Sequence, residues 1–143
     1  MAELYTLLSG KASKENYNLF LQLEQQAQED PALAEFFSLY LDMLESPKSH
    51  IRVRGFRMLC AAAKWIPADT MQQSLPRILA ALEEEKPTAL RQCLAALPKI
   101  IACHPLLTDR IREALHALDL SRYTNSMVPL IQKDISEILS AHK

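Results

Sequence analysis

Four cationic or ionisable side chains, His50, Arg54, Arg57 and Lys64, follow one another at steps of four, three and seven residues. In a helix those steps gather them on one face, and such a row can meet phosphates or an acidic partner. The other face of the same helix would carry Ile51, Gly55, Met58, Leu59, Ala62, Trp65 and Ile66. The segment therefore predicts a core side and a basic side, and the four basic residues form the candidate partner-binding set. A metal site would need Cys93, Cys103, His104 and His116 to converge. Adjacent residues such as Cys103 and His104 point about 100° apart on a helix, and Cys93 and Cys103 would stand ~15 Å apart along a straight one, so a single ion cannot take them together. Neither a CxxC nor an HExxH pattern is present. Glu83, Glu84 and Glu85 are consecutive, which spreads them around a helix, and no Ser, His and Asp spacing suggests a triad. The sequence offers no catalytic, cofactor or metal residue, and a non-catalytic role is expected.

Composition narrows the elements that must position the basic row. The chain has 143 residues, 49% of them hydrophobic and 23% charged, with only 2 Gly. A chain of this size forms one domain that buries roughly two thirds of its unfolded surface, without a disulfide or metal staple. Scarce glycine weighs against hairpins and phosphate-cradling loops together, since both need residues tolerant of positive φ. The chain reads as all-α. Its net charge of -1 supplies no bulk attraction toward nucleic acid or anionic membrane. No run of about 18 apolar residues exists, and Met1-Ala2-Glu3-Leu4-Tyr5 lacks the basic-then-apolar order of a signal peptide, so a cytoplasmic protein with no membrane association is expected. Three cysteines, Cys60, Cys93 and Cys103, suit reduced, buried thiols.

Caps and apolar spacing then divide the chain. Residues 2–8 form a short amphipathic stretch stopped at Ser9-Gly10. Ser13 caps a helix reaching about residue 27, with Tyr17, Phe20, Leu21 and Leu23 on its buried face. Asp30-Pro31 opens the next helix by cap and first-turn proline, and Ser46-Pro47 repeats that signal before the basic row. Gly55 on the packed side would permit a close helix crossing at a propensity cost on the order of 1 kcal/mol. Asp69 is expected to cap a helix running past Pro76 to Leu82. The carboxylates Glu83 to Glu85 at its end oppose the helix dipole unless a basic group sits nearby. Pro87 starts another helix, with Pro98 predicting a kink. Thr108-Asp109 introduces the apolar positions from Ile111 to Leu118, and Ser126 opens the last helix, with Pro129 in its first turn and Val128, Ile131, Ile135, Ile138 and Leu139 as its stripe.

Pro47 recurs 40 residues later as Pro87, and Pro67 recurs 38 residues later as Pro105. Periods of that length mark helical solenoids, in which each unit buries its face only against the next. The stretches Ile51-Arg52-Val53-Arg54-Gly55-Phe56-Arg57-Met58-Leu59 and Ala89-Leu90-Arg91-Gln92-Cys93-Leu94-Ala95-Ala96-Leu97 resemble the Val-Arg-then-aliphatic first helix of HEAT and armadillo repeats. That resemblance implies a short right-handed α-α superhelix of about seven or eight helices. The best repeat units would span residues 47–85 and 86–122, with 1–45 and 123–143 as capping or divergent helices. The same segments, with Glu85-Lys86-Pro87-Thr88-Ala89 and Pro129-Leu130-Ile131-Gln132-Lys133-Asp134-Ile135, resemble a group of small bacterial HEAT-like proteins. Some of these carry a name taken from the SufBD iron-sulfur assembly scaffold.

Solenoids bind along extended surfaces, so the expected function is a protein-interaction module whose partner is a protein or peptide, and the basic row would suit an acidic one. The resemblance leaves two other readings open. One is nucleic-acid binding of the kind found in helical-repeat DNA-repair enzymes, for which the charge balance and single Trp65 are a poor match. The other is an accessory role in iron-sulfur assembly. The resemblance also implies that a repeat arginine serves the repeat, since Arg91 is the counterpart of Arg54. Arg54 is then either a contact residue or a structural one held in an internal ion pair.

Overall fold

A computed structural model describes residues 2–11 and 13–142, and all regular structure among them is helical. The helices are α1 (Ala2–Leu8), α2 (Lys14–Glu29), α3 (Phe37–Met43), α4 (Ser49–Ala61), α5 (Ala68–Ala80), α6 (Pro87–Ala96), α7 (Pro98–Cys103), α8 (Thr108–Ala117) and α9 (Val128–Ala141). Short 3-10 turns at Pro31–Phe36, Ala63–Trp65 and Pro105–Leu107 join them. The all-α class expected from composition and periodicity is what the chain adopts. No helix among the described residues is long and apolar enough to cross a membrane.

Local chemistry sets most boundaries. Ser13 caps α2 by accepting from the Asn16 amide at 3.1 Å, and Asp30 Oδ1 accepts from the Ala32 amide at 2.9 Å to start the next segment. That segment begins as a 3-10 turn before becoming α3. Ser46 Oγ accepts from the Lys48 amide and makes a turn, so α4 begins at Ser49 rather than at Ser46-Pro47. Asp69 lies inside the first turn of α5, which follows Pro67, and is not its cap. Pro98 interrupts its helix as its position predicts, with Leu97 keeping α-helical φ and ψ between the two parts. It ends α6 and takes an early position of α7, because a proline cannot donate to the preceding turn.

Helices α2, α4, α6 and α9 pack side by side in that order, while α3 packs against both α4 and α5. One continuous apolar core lies between them, with Phe20, Tyr40, Phe56, Met58, Leu75, Leu90 and Ile111 fully enclosed. Helix α4 is the centre of the arrangement. Ile51, Val53, Arg54, Gly55, Phe56, Met58, Leu59, Cys60 and Ala61 are all buried, so it has no broad solvated side. Gly55 faces α3 at close range: a Cβ there would lie 2.6 Å from the Met43 Cβ and 2.9 Å from the Tyr40 carbonyl oxygen. The close crossing expected at Gly55 is present. Gly10 works by size as well, since a Cβ would meet the Asn16 side chain at 2.4 Å, and its φ is not positive.

The turns between helices are tied together along one edge. Arg52 grips Glu84 with Nε and Nη2 at 2.6 and 3.0 Å and donates from Nη1 to the Ser46 carbonyl at 2.9 Å. The Tyr123 hydroxyl donates to the Glu84 carbonyl. The turn before α4, the turn before α6 and the loop before α9 thus share one buried knot, and Glu84 is only 3% exposed. Arg52 is the basic group that the Glu83–Glu85 run requires. At the far end, Arg112 of α8 donates to the Leu139 and His142 carbonyls at 2.7 and 3.1 Å, placing a cation on the C-terminus of α9.

Two stability outcomes follow from this packing. Gly55→Ala gains about 1 kcal/mol of helix propensity but forces a methyl against Met43 and a backbone oxygen. Overpacking of that kind costs about 1–3 kcal/mol, so a lower urea midpoint with an unchanged m-value is expected. Glu84→Ala strands Arg52 in a mostly buried position and should cost about 3 kcal/mol; an unfolding midpoint equal to that of the parent chain would contradict the knot.

Candidate functional site

The side-by-side packing of α2, α4, α6 and α9 leaves one ridged face, and three hollows run along it. The first, of about 680 Å³, lies between α6 and α9. Leu94, Ala95, Pro98, Ile138 and Ala141 supply its apolar lining, and Arg91, Asp134, Glu137 and His142 its polar groups. The second, about 250 Å³, is bounded by Glu24, Arg57, Gln92, Ala95, Ala96 and Lys99. The third, about 260 Å³, takes in His50, Arg54 and Arg57 of α4 and Lys86, Thr88 and Ala89 at the start of α6. Gln92 borders all three, so they form one discontinuous groove.

Arg57 sits where the helices meet. Its Nε and Nη2 hold the two Glu24 oxygens at 2.8 Å each, and Nη1 donates to the Tyr17 hydroxyl and to Gln92 Oε1, both at 3.1 Å. The guanidinium lies over the Phe20 ring, 4.8 Å from its centre. Burial works to lower the Arg57 pKa, and the bonds to Glu24 and Tyr17 outweigh it, leaving the pKa raised. One side chain therefore ties α4 to both of its neighbours in the row. Arg91 continues the pattern by binding Asp134 of α9 at 2.7 and 3.3 Å, which raises its pKa.

The four sequence-predicted residues do not share one solvated face. Arg54 is 4% exposed, and its Nη1 donates to the Leu8 carbonyl at 2.9 Å, to the Gly10 carbonyl at 3.4 Å and to Asn16 Oδ1. It makes no ion pair among the described residues. Neutral acceptors hold it, and burial is the main cause of a lowered pKa. His50 shares Gly10, with Nε2 3.2 Å from the carbonyl oxygen; since a carbonyl only accepts, Nε2 carries the proton. Lys64 stands apart, exposed above the Trp65 ring at 4.7 Å. Trp65 was expected on the packed side. It is half-buried and donates from Nε1 to the Ala27 carbonyl at 3.1 Å. The row breaks because neighbours cover α4 on nearly every side. Three of its members, His50, Arg54 and Arg57, still border the third hollow.

Sequence reasoning missed Glu24, Gln92, Lys86 and Asp134. Lys86 had no signal in the 40-residue recurrence, which sets Pro87 opposite Pro47 and Thr88 opposite Lys48; a lysine precedes both helices only because α4 starts two residues after its proline. Glu24 had none, since its pairing with Arg57 crosses 33 residues. Among the described residues no group of three or more His, Cys, Asp or Glu side chains is disposed to hold a metal ion. Cys60 and Cys93 are buried and Cys103 is exposed. No family model matches the chain, and neither a curated protein nor a solved structure shows a significant match to it.

The thiols give a direct check on the packing around this face. Burial pushes the Cys93 thiol up to about 12 and raises Cys60 well above its ordinary value. A raised pKa means less thiolate, the reactive form, at a given pH. At pH 8 a disulfide reagent such as DTNB should label Cys103 first, with Cys60 and Cys93 reacting only after denaturation. Rapid labelling of all three in the native protein would show that α4 and α6 are not packed as described.

Proposed function

We propose that the protein is a non-catalytic interaction module of the HEAT/armadillo-like type, acting in the cytoplasm. It would receive a segment of a partner protein along the α2–α4–α6–α9 face. The observation that carries this reading is that Gln92 lines all three hollows, which sets them side by side along one face. An apolar floor between two helices, edged by charged groups, suits the side chains of an amphipathic helix or an extended peptide. The groove is chemically graded. Its α6–α9 end mixes Arg91 with Asp134 and Glu137, the second hollow pairs Arg57 and Lys99 with Glu24, and the third gathers His50, Arg54, Arg57 and Lys86 with no carboxylate. An acidic segment would therefore lie with its apolar residues in the first hollow and its charges toward α4.

Arg57 is unsuited to testing this, because its removal would free Glu24 and loosen three helices. Ala95 is exposed and borders both the first and second hollows, so Ala95→Glu adds bulk and negative charge with little effect on the core. A protein that co-purifies with the native chain at mild salt and dissociates as salt rises should be captured at least tenfold less by Ala95→Glu. Equal capture by both forms would overturn the reading of this face. Nuclease-sensitive recovery of nucleic acid instead would favour nucleic-acid binding.

A further inference from the structure

We infer that the third hollow, at the start of α4 and α6, is a binding site for a phosphoryl group. The inference deepens the proposed reading of the groove and rests on it only for the place where such a group would be presented. The hollow holds about 260 Å³, and its lining residues include four cationic or ionisable side chains and no carboxylate. Arg54 is the decisive member. It is buried with its guanidinium 5.5 Å from the centre of the Phe20 ring, and its hydrogen-bond partners are two backbone carbonyls and a side-chain amide, so no anion among the described residues compensates it. Desolvating a guanidinium without an anion is costly, and such a charge favours an anion from outside. All the hydrogen bonds Arg54 makes within the protein leave from Nη1. Nε and Nη2 make none of them, and Arg54 lines the hollow.

Charge counting selects the kind of anion. Glu24 pairs with Arg57, which leaves Arg54 and Lys86 as two positive charges in a lining that holds no carboxylate. A phosphate monoester carries about -1.5 to -2 near pH 7 and matches that pair, whereas one carboxylate would leave a charge unmet. Donor geometry agrees. Tyr17 accepts from Arg57 through its oxygen and keeps its own proton to donate, and Gln92 accepts through Oε1 and keeps its amide hydrogens. Ser49 and Thr88 add hydroxyls to the lining. These donors come from three helices, α2, α4 and α6, which suits an anion with several acceptor oxygens. The hollow also receives the positive ends of α4 and α6, helices of 13 and 10 residues that have no side-chain cap at their starts.

The test uses the full chain and two probes, inorganic phosphate and a short peptide bearing one phosphoserine, followed by NMR of the backbone amides. Saturable shifts at Ser49, His50, Thr88 and Ala89 are expected. Binding should be at least tenfold weaker in Lys86→Glu and at least tenfold weaker for acetate at equal ionic strength. Lys86 is exposed, so that variant should remain folded; Arg54→Lys, which keeps a charge but loses the planar donors, should weaken phosphate binding as well. Tighter binding of the phosphopeptide would assign the group to a modified partner, and tighter binding of phosphate would assign it to a free ligand. Either upholds the site. Absent shifts, equal response to acetate, or no effect of Lys86→Glu would overturn it. Phosphate binding alongside unchanged partner capture by Ala95→Glu would remove the groove reading and leave this site standing, whereas lost capture without a phosphate response would remove this site alone.

Discussion

The structure depends on enclosing α4, a helix that carries three arginines, at the centre of a helical array. A guanidinium cannot be deprotonated at ordinary pH and is costly to bury without partners, so each arginine had to be met by a different part of the chain. Arg52 reaches forward to Glu84 and the turn before α6. Arg54 reaches back to Leu8, Gly10 and Asn16, between α1 and α2. Arg57 reaches sideways to Glu24 on α2 and Gln92 on α6. The apolar core supplies most of the driving force, and these fixed donors specify which neighbour stands where. Neutral partners suffice for Arg54, and that is why it differs from the other two in leaving a positive charge unbalanced.

That division of labour explains why the groove has its character. Arg57 and Arg91 each spend their donors on bridges between helices, to Glu24 and Gln92 in one case and to Asp134 in the other. The bridges hold the helices in register and leave hollows between them. Where the arginine meets a carboxylate, the adjoining surface is electrically balanced, as at the α6–α9 cleft. Where Arg54 meets only carbonyls and an amide, the surface is positive. A protein with a net charge of -1 thus presents a local cationic hollow that no overall count of charges would disclose.

Much of the helical plan was legible before folding. Ser13 and Asp30 are caps because their short side chains reach an amide two or three residues on, a relation contained within the local sequence. Gly55 was legible as a close crossing because glycine inside a helix is unfavourable unless contact demands it. The helix starts expected at Ser46-Pro47 and Asp69 lie a few residues from the actual ones, since Ser46 forms a turn and α5 begins at Ala68, behind Pro67, with no side-chain cap. The interruption at Pro98 is legible from its missing donor, because Leu97 before it stays α-helical.

The row His50, Arg54, Arg57 and Lys64 marks the boundary of what sequence could say. Composition and periodicity determined that the chain is helical and apolar along a stripe of each helix, because 3.6-residue spacing is a property of neighbours in the chain. Which face of α4 meets solvent was decided only by tertiary structure, since that depends on how many other helices cover it. Burial on nearly all sides turned an expected basic surface into three separate anchors, and the partners that complete them lie tens of residues away. Charge compensation acts through space, and spacing along the chain does not encode it.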